Sequence, residues 1–288
     1  MPTKYAIQIA YDGTDYCGWQ IQRGVGSHAN AKPSIEAEIA AAIRSLCDEE
    51  IPLVASGRTD AGVHASGQVA HFSLESPRHS EEHFLDGLND RLPEAIRIHR
   101  LDRVPDSFRA QQTIGKQYSY YFSQGPTTLP HLQRYTMWNR HSLDPALMRD
   151  ALRALVGEHD FIAFCGAGAK VSSTVRKIYE AEITAEAVPL PGCFDVEQQS
   201  LLRVRISGSG FLKQMVRGIA GTLKQIGEGR RPVTDMAEIL ETRDRKQVGP
   251  TAPANGLWLD RVWYEPHPEI EFLNHPCPSR IPPNLIPG

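Results

Sequence analysis

Residues 51–74, IPLVASGRTDAGVHASGQVAHFSL, contain two predicted strands separated by a loop rich in turn-forming residues. The first strand is a short apolar run at 51–55, and the second, at 68–74, alternates apolar and polar residues. A helix is predicted on each side of this pair, at 33–46 and at 80–91, because apolar residues recur there at helical spacing. The two strands therefore form the central step of a larger pattern.

That pattern is β-α-β-β-α-β, since strands are also predicted at 5–10 and 96–104. The second half of the chain repeats the order. Its predicted strands and helices are strands 114–123, 174–186, 200–207 and 256–264, and helices 144–156, 210–226 and 234–242. The order is typical of the ferredoxin-like fold.

We therefore predict an α+β protein of two related ferredoxin-like domains with antiparallel sheets, joined around a central catalytic cleft. The predicted first domain covers 1–104 and the second covers 105–265. The tail at 266–288 is rich in proline and shows no periodicity, so we expect it to be irregular.

The composition is that of an ordinary globular protein, with 288 residues, 41% hydrophobic residues and a net charge of -3. No apolar run is long enough to cross a membrane, and the acidic start predicts no signal peptide. The five cysteines are odd in number and form no Cys-x-x-Cys motif, so we expect neither a disulfide framework nor a zinc ribbon. A reducing cytoplasm is the expected location.

Positive charge is concentrated between residues 203 and 231, where seven basic residues accompany one acidic residue. In the predicted helix at 210–226, Lys213, Arg217 and Lys224 fall on one side, opposite an apolar face. This side is either a solvated surface or a site for a polyanion, because the local field matters more than the total charge.

Two short motif matches have weak context. His79 and His83 fit the H-x-x-E-H pattern of some metalloproteases, but no third ligand is evident. Residues 24–29, GVGSHA, fit a dinucleotide-binding pattern but do not directly follow a strand. Neither match is a basis for the functional prediction.

The loop at 56–64, SGRTDAGVH, holds the densest group of reactive residue types. Arg58 and Asp60 are two residues apart, so in an extended loop their side chains point the same way. A single carboxylate suits covalent nucleophilic catalysis, in which it adds to an electrophile and later leaves. The structural alternative is an aspartate that caps a turn.

Six blocks in order resemble the tRNA pseudouridine synthase A family and together span roughly residues 4–264. The longest, GRTDAGVHASGQVAHF at 57–72, is similar to the catalytic loop of the family. The other blocks are YDGTDYCGWQ (11–20), GKQYSYYF (115–122), GEHDFIAF with STVRKI (157–164 and 173–178), GSGFLKQMVRGIAGTL (208–223) and GPTAPANGLWL (249–259).

The resemblance implies isomerisation of uridine to pseudouridine in tRNA. It also implies that the uridines lie in the anticodon stem-loop, at positions 38–40, and that the enzyme is a homodimer. No metal and no organic cofactor is implied. The alternatives are an RNA-binding module of the same fold without catalysis and a metal-dependent hydrolase that uses His79 and His83.

The resemblance also implies roles for four residues. Asp60 matches the catalytic aspartate, and Tyr118 matches the tyrosine that packs on the uracil ring. Arg217 matches the arginine that pairs with the aspartate, and Arg58 matches the arginine that helps to displace the target base. Attack by Asp60 on C6 of the ring and attack on C1′ of the ribose both remain open.

Basic residues of the second half are candidates for contact with the RNA backbone, which determines affinity and register. They are Lys213, Lys224, Arg230, Arg231, Arg243, Arg245 and Lys246. His64 is expected to pack within the loop and has no role in the chemistry.

Overall fold

The structure is a computed structural model, and it describes most of the chain. The predicted tail, apart from Pro266, and the dinucleotide-type match at 24–29 lie outside the described residues. The described ranges are 2–20, 32–77, 79–169, 171–187 and 200–266.

The chain folds as two compact units. Unit 1 contains the residues up to Gly115 and those from Leu259 onward, and unit 2 is Lys116–Trp258. Unit 1 thus extends beyond residue 104, the predicted boundary, and takes in the last strand from Leu259. The Ile114 N–H donates to the Trp263 carbonyl at 2.9 Å, which connects the end of the first stretch of unit 1 to that strand.

Unit 1 contains two helices and a set of antiparallel strands. They are β1 (Thr3–Tyr11), α1 (Ile35–Cys47), β2 (Val54–Ala55), β3 (His64–Leu74), α2 (Glu81–Asn89) and β4 (Ile96–Arg103), together with β10 (Leu257–Trp263) from Leu259 onward. Strand β1 lies between β3 and β4 and pairs antiparallel with both, while the short β2 pairs with β3. The predicted order of elements is observed, although β2 is shorter than the predicted strand.

The core of unit 1 follows from the sequence patterns. The Ser34 hydroxyl caps α1 by accepting a hydrogen bond from the Ala37 N–H. The isoleucines of α1, including Ile35, lie on one face of the helix and are buried. Tyr5 on β1 stacks on Phe72 of β3, with ring centroids 5.7 Å apart. These contacts hold the helix against the sheet next to the loop that precedes β3.

Strand β3 begins at His64, four residues before the predicted start, because the strand continues through Ala65, Ser66 and Gly67. Ala65 pairs with Tyr11 across an irregularity in β1, and both are buried. Gly67 allows close approach of the last strand, since a Cβ there would lie 2.3 Å from the Asp260 carbonyl oxygen.

Unit 2 contains five strands and several helices. They are β5 (Gly115–Gln124), α3 (Pro130–Gln133), β6 (Met137–Asn139), α4 (Pro145–Leu152), β7 (Gly157–Asp160), β8 (Val175–Ala187), β9 (Ser200–Gly208), α5 (Met215–Gly227) and α6 (Asp235–Thr242). The strands β5-β9-β8-β7 are neighbours in that order with antiparallel pairs, and β6 adds to β5 in parallel. The protein is thus a mixture of helices and mostly antiparallel strands.

Helix α5 begins at Met215, not at residue 210 as predicted. Gln214 adopts a left-handed conformation with φ of 60°, which breaks the helical path before it. Lys213 therefore lies in a turn and does not share a helical side with Arg217 and Lys224. The buried face of α5 retains the predicted apolar spacing, since Met215 and Ile219 are fully buried.

The predicted helix at 144–156 is also divided, into α4 and a 3-10 turn at Arg153–Leu155.

Within the described residues, no helix has the length and apolarity needed to cross a membrane.

Candidate functional site

The loop from Ser56 to Val63, which joins β2 to β3, is fixed at its start by Gln68. The Gln68 amide oxygen accepts from the Ser56 hydroxyl at 2.6 Å and from the Val69 N–H at 3.1 Å. The Gln68 amide nitrogen donates to the Gly57 carbonyl at 2.9 Å. Ser56 and Gln68 are buried, so these bonds are shielded from water.

The centre of the loop is fixed through Thr59. Its hydroxyl shares a 2.8 Å hydrogen bond with the Tyr11 hydroxyl, and its carbonyl accepts from the Trp19 N–H at 3.1 Å. Burial raises the pKa of Tyr11 to about 12, so the phenol stays protonated at neutral pH. Thr59, only 7% exposed, is thereby held by both its side chain and its backbone.

Two glycines of the YDGTDYCGWQ block let the chain pack directly on this loop. A Cβ at Gly13 would lie 2.0 Å from the Val63 carbonyl oxygen. Gly18 has φ of +105°, and a Cβ there would lie 2.7 Å from the Thr59 carbonyl oxygen. The block therefore packs against the backbone of the loop, and its sequence alone did not indicate this contact.

The same block contacts His64, at the start of β3. The Gly13 N–H donates to His64 Nδ1 at 3.2 Å, and Asp12 Oδ1 lies 3.2 Å from the same nitrogen. His64 is fully buried. It is thus a packing and hydrogen-bonding residue of the loop, as predicted.

The end of the loop is a tight turn. The Val63 N–H donates to the Asp60 carbonyl at 3.1 Å, and Gly62 has a positive φ of 77°. Glycine at this position is what a turn of this kind requires. Asp60 itself is half-buried and Arg58 is exposed, so both predicted residues project from a backbone that is anchored on either side of each.

A cavity of about 290 Å³ opens beside this loop, within unit 1. Arg58 and Gly57 form one part of its wall, and Trp19 and Glu36 form another. Nothing in the sequence patterns predicted this space.

In unit 2, Tyr118 lies on β5 opposite Ile206 of β9. Its ring makes an edge-to-face contact with Phe211, with centroids 5.0 Å apart and an angle of 79° between the planes. Tyr118 is half-buried, so part of its ring remains accessible. Such an edge-to-face contact restricts the orientation of the Tyr118 ring. Phe211 lies before α5, although the sequence places it within the helix predicted at 210–226.

Arg217 is held by the GPTAPANGLWL block. Its Nε donates to the Ala252 carbonyl at 2.7 Å, and the Ala252 N–H donates back to the Arg217 carbonyl at 3.0 Å. This close packing needs a glycine at position 221, where a Cβ would lie 1.8 Å from the Pro250 carbonyl oxygen. The guanidinium is therefore set in direction by the backbone, and Arg217 is not a freely solvated surface residue.

Tyr120, two residues after Tyr118, supports the same block. Its hydroxyl donates to the Pro253 carbonyl at 2.8 Å. Burial raises the pKa of Tyr120 well above its usual value, although the positive charge of Arg217 acts in the opposite direction. Tyr120 is therefore a neutral, buried support for the backbone that holds Arg217.

The seven candidate RNA-contact residues fall into two groups. Lys224 and Arg231 are engaged in ion pairs, with Glu228 at 2.5 Å and Asp235 at 2.6 Å respectively. The second group is exposed: Lys213, Arg230, Arg243, Arg245 and Lys246. Arg230 and Arg243 in this group also approach carboxylates, at 3.5 Å.

Among the residues that the structure describes, the two histidines of the metalloprotease-type match belong to no cluster of three potential metal ligands. His83 lies in the first turn of α2, where its Nδ1 is 2.7 Å from the Ser80 hydroxyl that caps the helix. Within the described part of the chain, no group of three potential metal ligands occurs.

The sequence is similar over most of its length to the members of one protein family. A family model described as tRNA pseudouridine synthase matches residues 7–122 and 151–265. The tRNA pseudouridine synthase A of Chlamydia trachomatis serovar A is 38% identical over 282 residues, which are 96% of this chain and 97% of the relative. The proteins of the same name from Geobacillus kaustophilus and Lactococcus lactis subsp. cremoris are 38% and 37% identical and cover 92% and 93% of this chain, and 96% and 100% of the relatives.

Proposed function

Because the chain belongs to the tRNA pseudouridine synthase family, it isomerises uridine to pseudouridine in tRNA, and we propose that Asp60 is the nucleophile of this reaction. The observation that supports this role is the anchoring of its loop. Thr59 and Val63, on either side of Asp60, are both tied by hydrogen bonds. A carboxylate held in this way can attack a fixed atom of a bound substrate.

The chemistry requires no redox partner. The carboxylate adds either to C6 of uracil or to C1′ of the ribose, and the N1–C1′ bond breaks. The base then turns and C5 bonds to C1′; this displaces the carboxylate if it had added to C1′, whereas on the other route the bond from C6 to the carboxylate breaks afterwards. The C5 proton leaves, N1 takes up a proton, and Asp60 is again a free carboxylate. Atoms and electrons balance without a cofactor, which is consistent with the proposal that the enzyme uses none.

Tyr118 and Arg217 are proposed to act in the same reaction. The Tyr118 ring offers a flat apolar face for the uracil, and its hydroxyl is a candidate for removing the C5 proton. Arg217 supplies a permanent positive charge, which favours an ionised carboxylate. Its bond to the Ala252 carbonyl supports this role, because a guanidinium of fixed direction loses little entropy in pairing.

Arg58 is proposed to take part in extruding the target base. Enzymes that react with a base inside a stem must first take it out of the stack. Arg58 is exposed, although Gly57 and Thr59 on either side are anchored, so its long side chain can reach an RNA while its backbone stays fixed. We propose that the target uridines lie in the anticodon stem-loop.

The seven basic residues of unit 2 are proposed to contact RNA phosphates, and the exposed ones are expected to contribute most. Lys246 is exposed, whereas Lys224 already pairs with Glu228 and would have to leave that carboxylate. Phosphate contacts of this kind determine affinity and register, not sequence.

We propose a homodimer, in which two copies of the basic segment at 203–231 would add their fields around one RNA. This would reconcile tRNA binding with a net charge of -3. We also propose a cytoplasmic location, which an odd number of cysteines and a tRNA substrate favour.

Each unit is proposed to be ferredoxin-like. In unit 1 the order β4-β1-β3, with β2 on β3, and the positions of α1 and α2 along the chain support this. In unit 2 the support is the order β5-β9-β8, with α4 before β8 and α5 after β9.

The experiment that tests the function is chemical mapping of pseudouridine in unmodified tRNA after incubation with the purified protein. We expect new pseudouridine in the anticodon stem-loop. Pseudouridine elsewhere would overturn the proposed location, and none at all would favour an RNA-binding module without catalysis.

A further inference from the structure

Lys116 lies on the same face of strand β5 as Tyr118. The strand pairs with β9 without interruption from Lys116, opposite Gly208, to Ser123. Side chains two residues apart in a regular strand lie on one face, so Lys116 and Tyr118 are neighbours, with Cα atoms about 7 Å apart. The proposed reaction leaves this lysine without a role.

The same face of β5 also approaches Arg217. Tyr120 follows Tyr118 on this face, and the positive charge of Arg217 acts on the pKa of the Tyr120 hydroxyl. Phe211, shortly before the helix that carries Arg217, contacts the Tyr118 ring with centroids 5.0 Å apart. Lys116, Tyr118 and Arg217 are thus gathered on one side of the strands of unit 2, where the uracil is proposed to stack on Tyr118.

The surroundings of Lys116 are partly apolar. Gly208 lies opposite it on β9, and Ile178 lies opposite Gly208 on β8. A Cβ at Gly208 would be 2.9 Å from Ile178 Cδ1, so the buried isoleucine covers the strand there. Lys116 is half-buried, and burial lowers the pKa of its ammonium to about 8. The group is therefore still mostly charged at neutral pH, and water screens its charge less than that of an exposed lysine.

Negative charge develops on the uracil by either route of attack. Addition of a carboxylate to C6 moves the electrons of the C5–C6 double bond toward O4 and gives an enolate. Displacement at C1′ releases the base as an anion whose charge is shared by N1, O2 and O4. O4 therefore gains charge on both routes, and a positively charged donor held at such an atom lowers the barrier.

We propose that the Lys116 ammonium donates a hydrogen bond to O4 of the target uracil and stabilises the charge that develops there. The inference rests on the proposed function, which brings the uracil to Tyr118. Lys116 keeps its proton throughout, so the balance of the reaction is unchanged. A half-buried ammonium suits a base better than RNA phosphates, which exposed lysines such as Lys246 can reach.

The first test separates catalysis from binding. Lys116→Met keeps most of the length of the side chain but removes the charge and the donor. We expect the single-turnover rate constant for pseudouridine formation to fall about 100-fold, while the Kd for tRNA changes by less than about twofold. Lys177→Met is the control and should keep both wild-type values, since Lys177 is an exposed lysine on β8 of the same unit. An unchanged rate constant in Lys116→Met, with or without weaker binding, would overturn the inference.

The second test identifies the atom that Lys116 contacts. RNA stem-loops carry uridine, 2-thiouridine or 4-thiouridine at the target position. Sulfur is a weaker acceptor than oxygen, so 4-thiouridine should slow the wild-type protein about tenfold relative to uridine. In Lys116→Met the same change should alter the rate constant by about twofold or less, because the contact is already lost. 2-Thiouridine should affect both proteins alike, and an equal effect of 4-thiouridine on both would overturn the assignment to O4.

A further variant guards against a folding defect in Lys116→Met. Lys116→Gln keeps an N–H donor without the charge, and its rate constant should fall about tenfold at a temperature at which circular dichroism shows it to be folded. A wild-type rate constant in Lys116→Gln would overturn the inference while leaving the proposed function intact. Absence of pseudouridine from the uridine RNA with the wild-type protein would instead refute the proposed function.

Discussion

Replacement of Gln68 by alanine should damage catalysis although Gln68 never touches the substrate. The change removes three hydrogen bonds, to Ser56, Gly57 and Val69, at 2.6, 2.9 and 3.1 Å. A buried polar group left without its partner costs about 1 to 3 kcal/mol. Water can enter the space left by the side chain and satisfy some of these groups, so we expect a loss of about 3 kcal/mol in the free energy of unfolding.

The effect on the reaction should come from the position of the Asp60 loop. A displacement of about 1 Å can cost roughly 100-fold in rate, so we expect kcat to fall by about that factor while KM changes little. The assay is single-turnover formation of pseudouridine at a temperature at which circular dichroism shows the variant to be folded. Gln112→Ala is the control, since Gln112 is exposed in the same unit and outside the network.

One result would refute the reasoning about Gln68. If Gln68→Ala lost stability as expected but kept the wild-type kcat, its hydrogen bonds would stabilise the fold without positioning the catalytic loop.

Three further changes test other parts of the structure. Gly18→Ala should lower the free energy of unfolding, measured with urea, more than Gly229→Ala does. Both glycines have positive φ, but only a Cβ at Gly18 would meet a backbone atom, the Thr59 carbonyl oxygen at 2.7 Å. Equal losses of stability would contradict the close packing of Gly18 on the loop. Arg217→Lys should lower kcat at least about tenfold with little change in the Kd for tRNA, since lysine lacks the Nε donor, and an unchanged kcat would contradict its role. Burial, with nearby positive charges, lowers the pKa of His71 from 6.5 to about 4. Between these two pH values the unfolded chain protonates this histidine and the folded chain does not, so stability should fall as the pH decreases from 6.5 to 4. His71→Gln should reduce this fall in a pH series of unfolding midpoints, and an unchanged slope would show that other groups cause the fall.

Much of the fold could be predicted because it depends on local periodicity. The alternation in β1 and the isoleucine stripe of α1 indicate their buried faces directly. The start of α5 could not be predicted, because the left-handed conformation of Gln214 is unusual for a residue other than glycine and follows from tertiary packing. The start of β3 was missed for a similar reason, since pairing with β1 overrides the turn-forming composition of Ala65–Gly67.

The candidate site divides in the same way. Asp60 and Arg58 could be selected from residue type and from the resemblance of their loop. The residues that anchor this loop could not be predicted. The hydrogen bond between Tyr11 and Thr59 joins residues 48 positions apart, and no sequence spacing indicates such a partner. The role of Trp19 is likewise set by a backbone contact that any residue type could make.

The central claim is that Asp60 is the nucleophile, and the Asp60→Asn variant tests it most directly. The amide has nearly the same size and can keep the turn at Val63, so the fold and the Kd for tRNA should change little. The measurement is pseudouridine formed per enzyme in a single turnover with saturating tRNA. We predict no product above background for Asp60→Asn and one product per active site for the wild-type protein. Formation of pseudouridine by Asp60→Asn at the wild-type rate would contradict the claim.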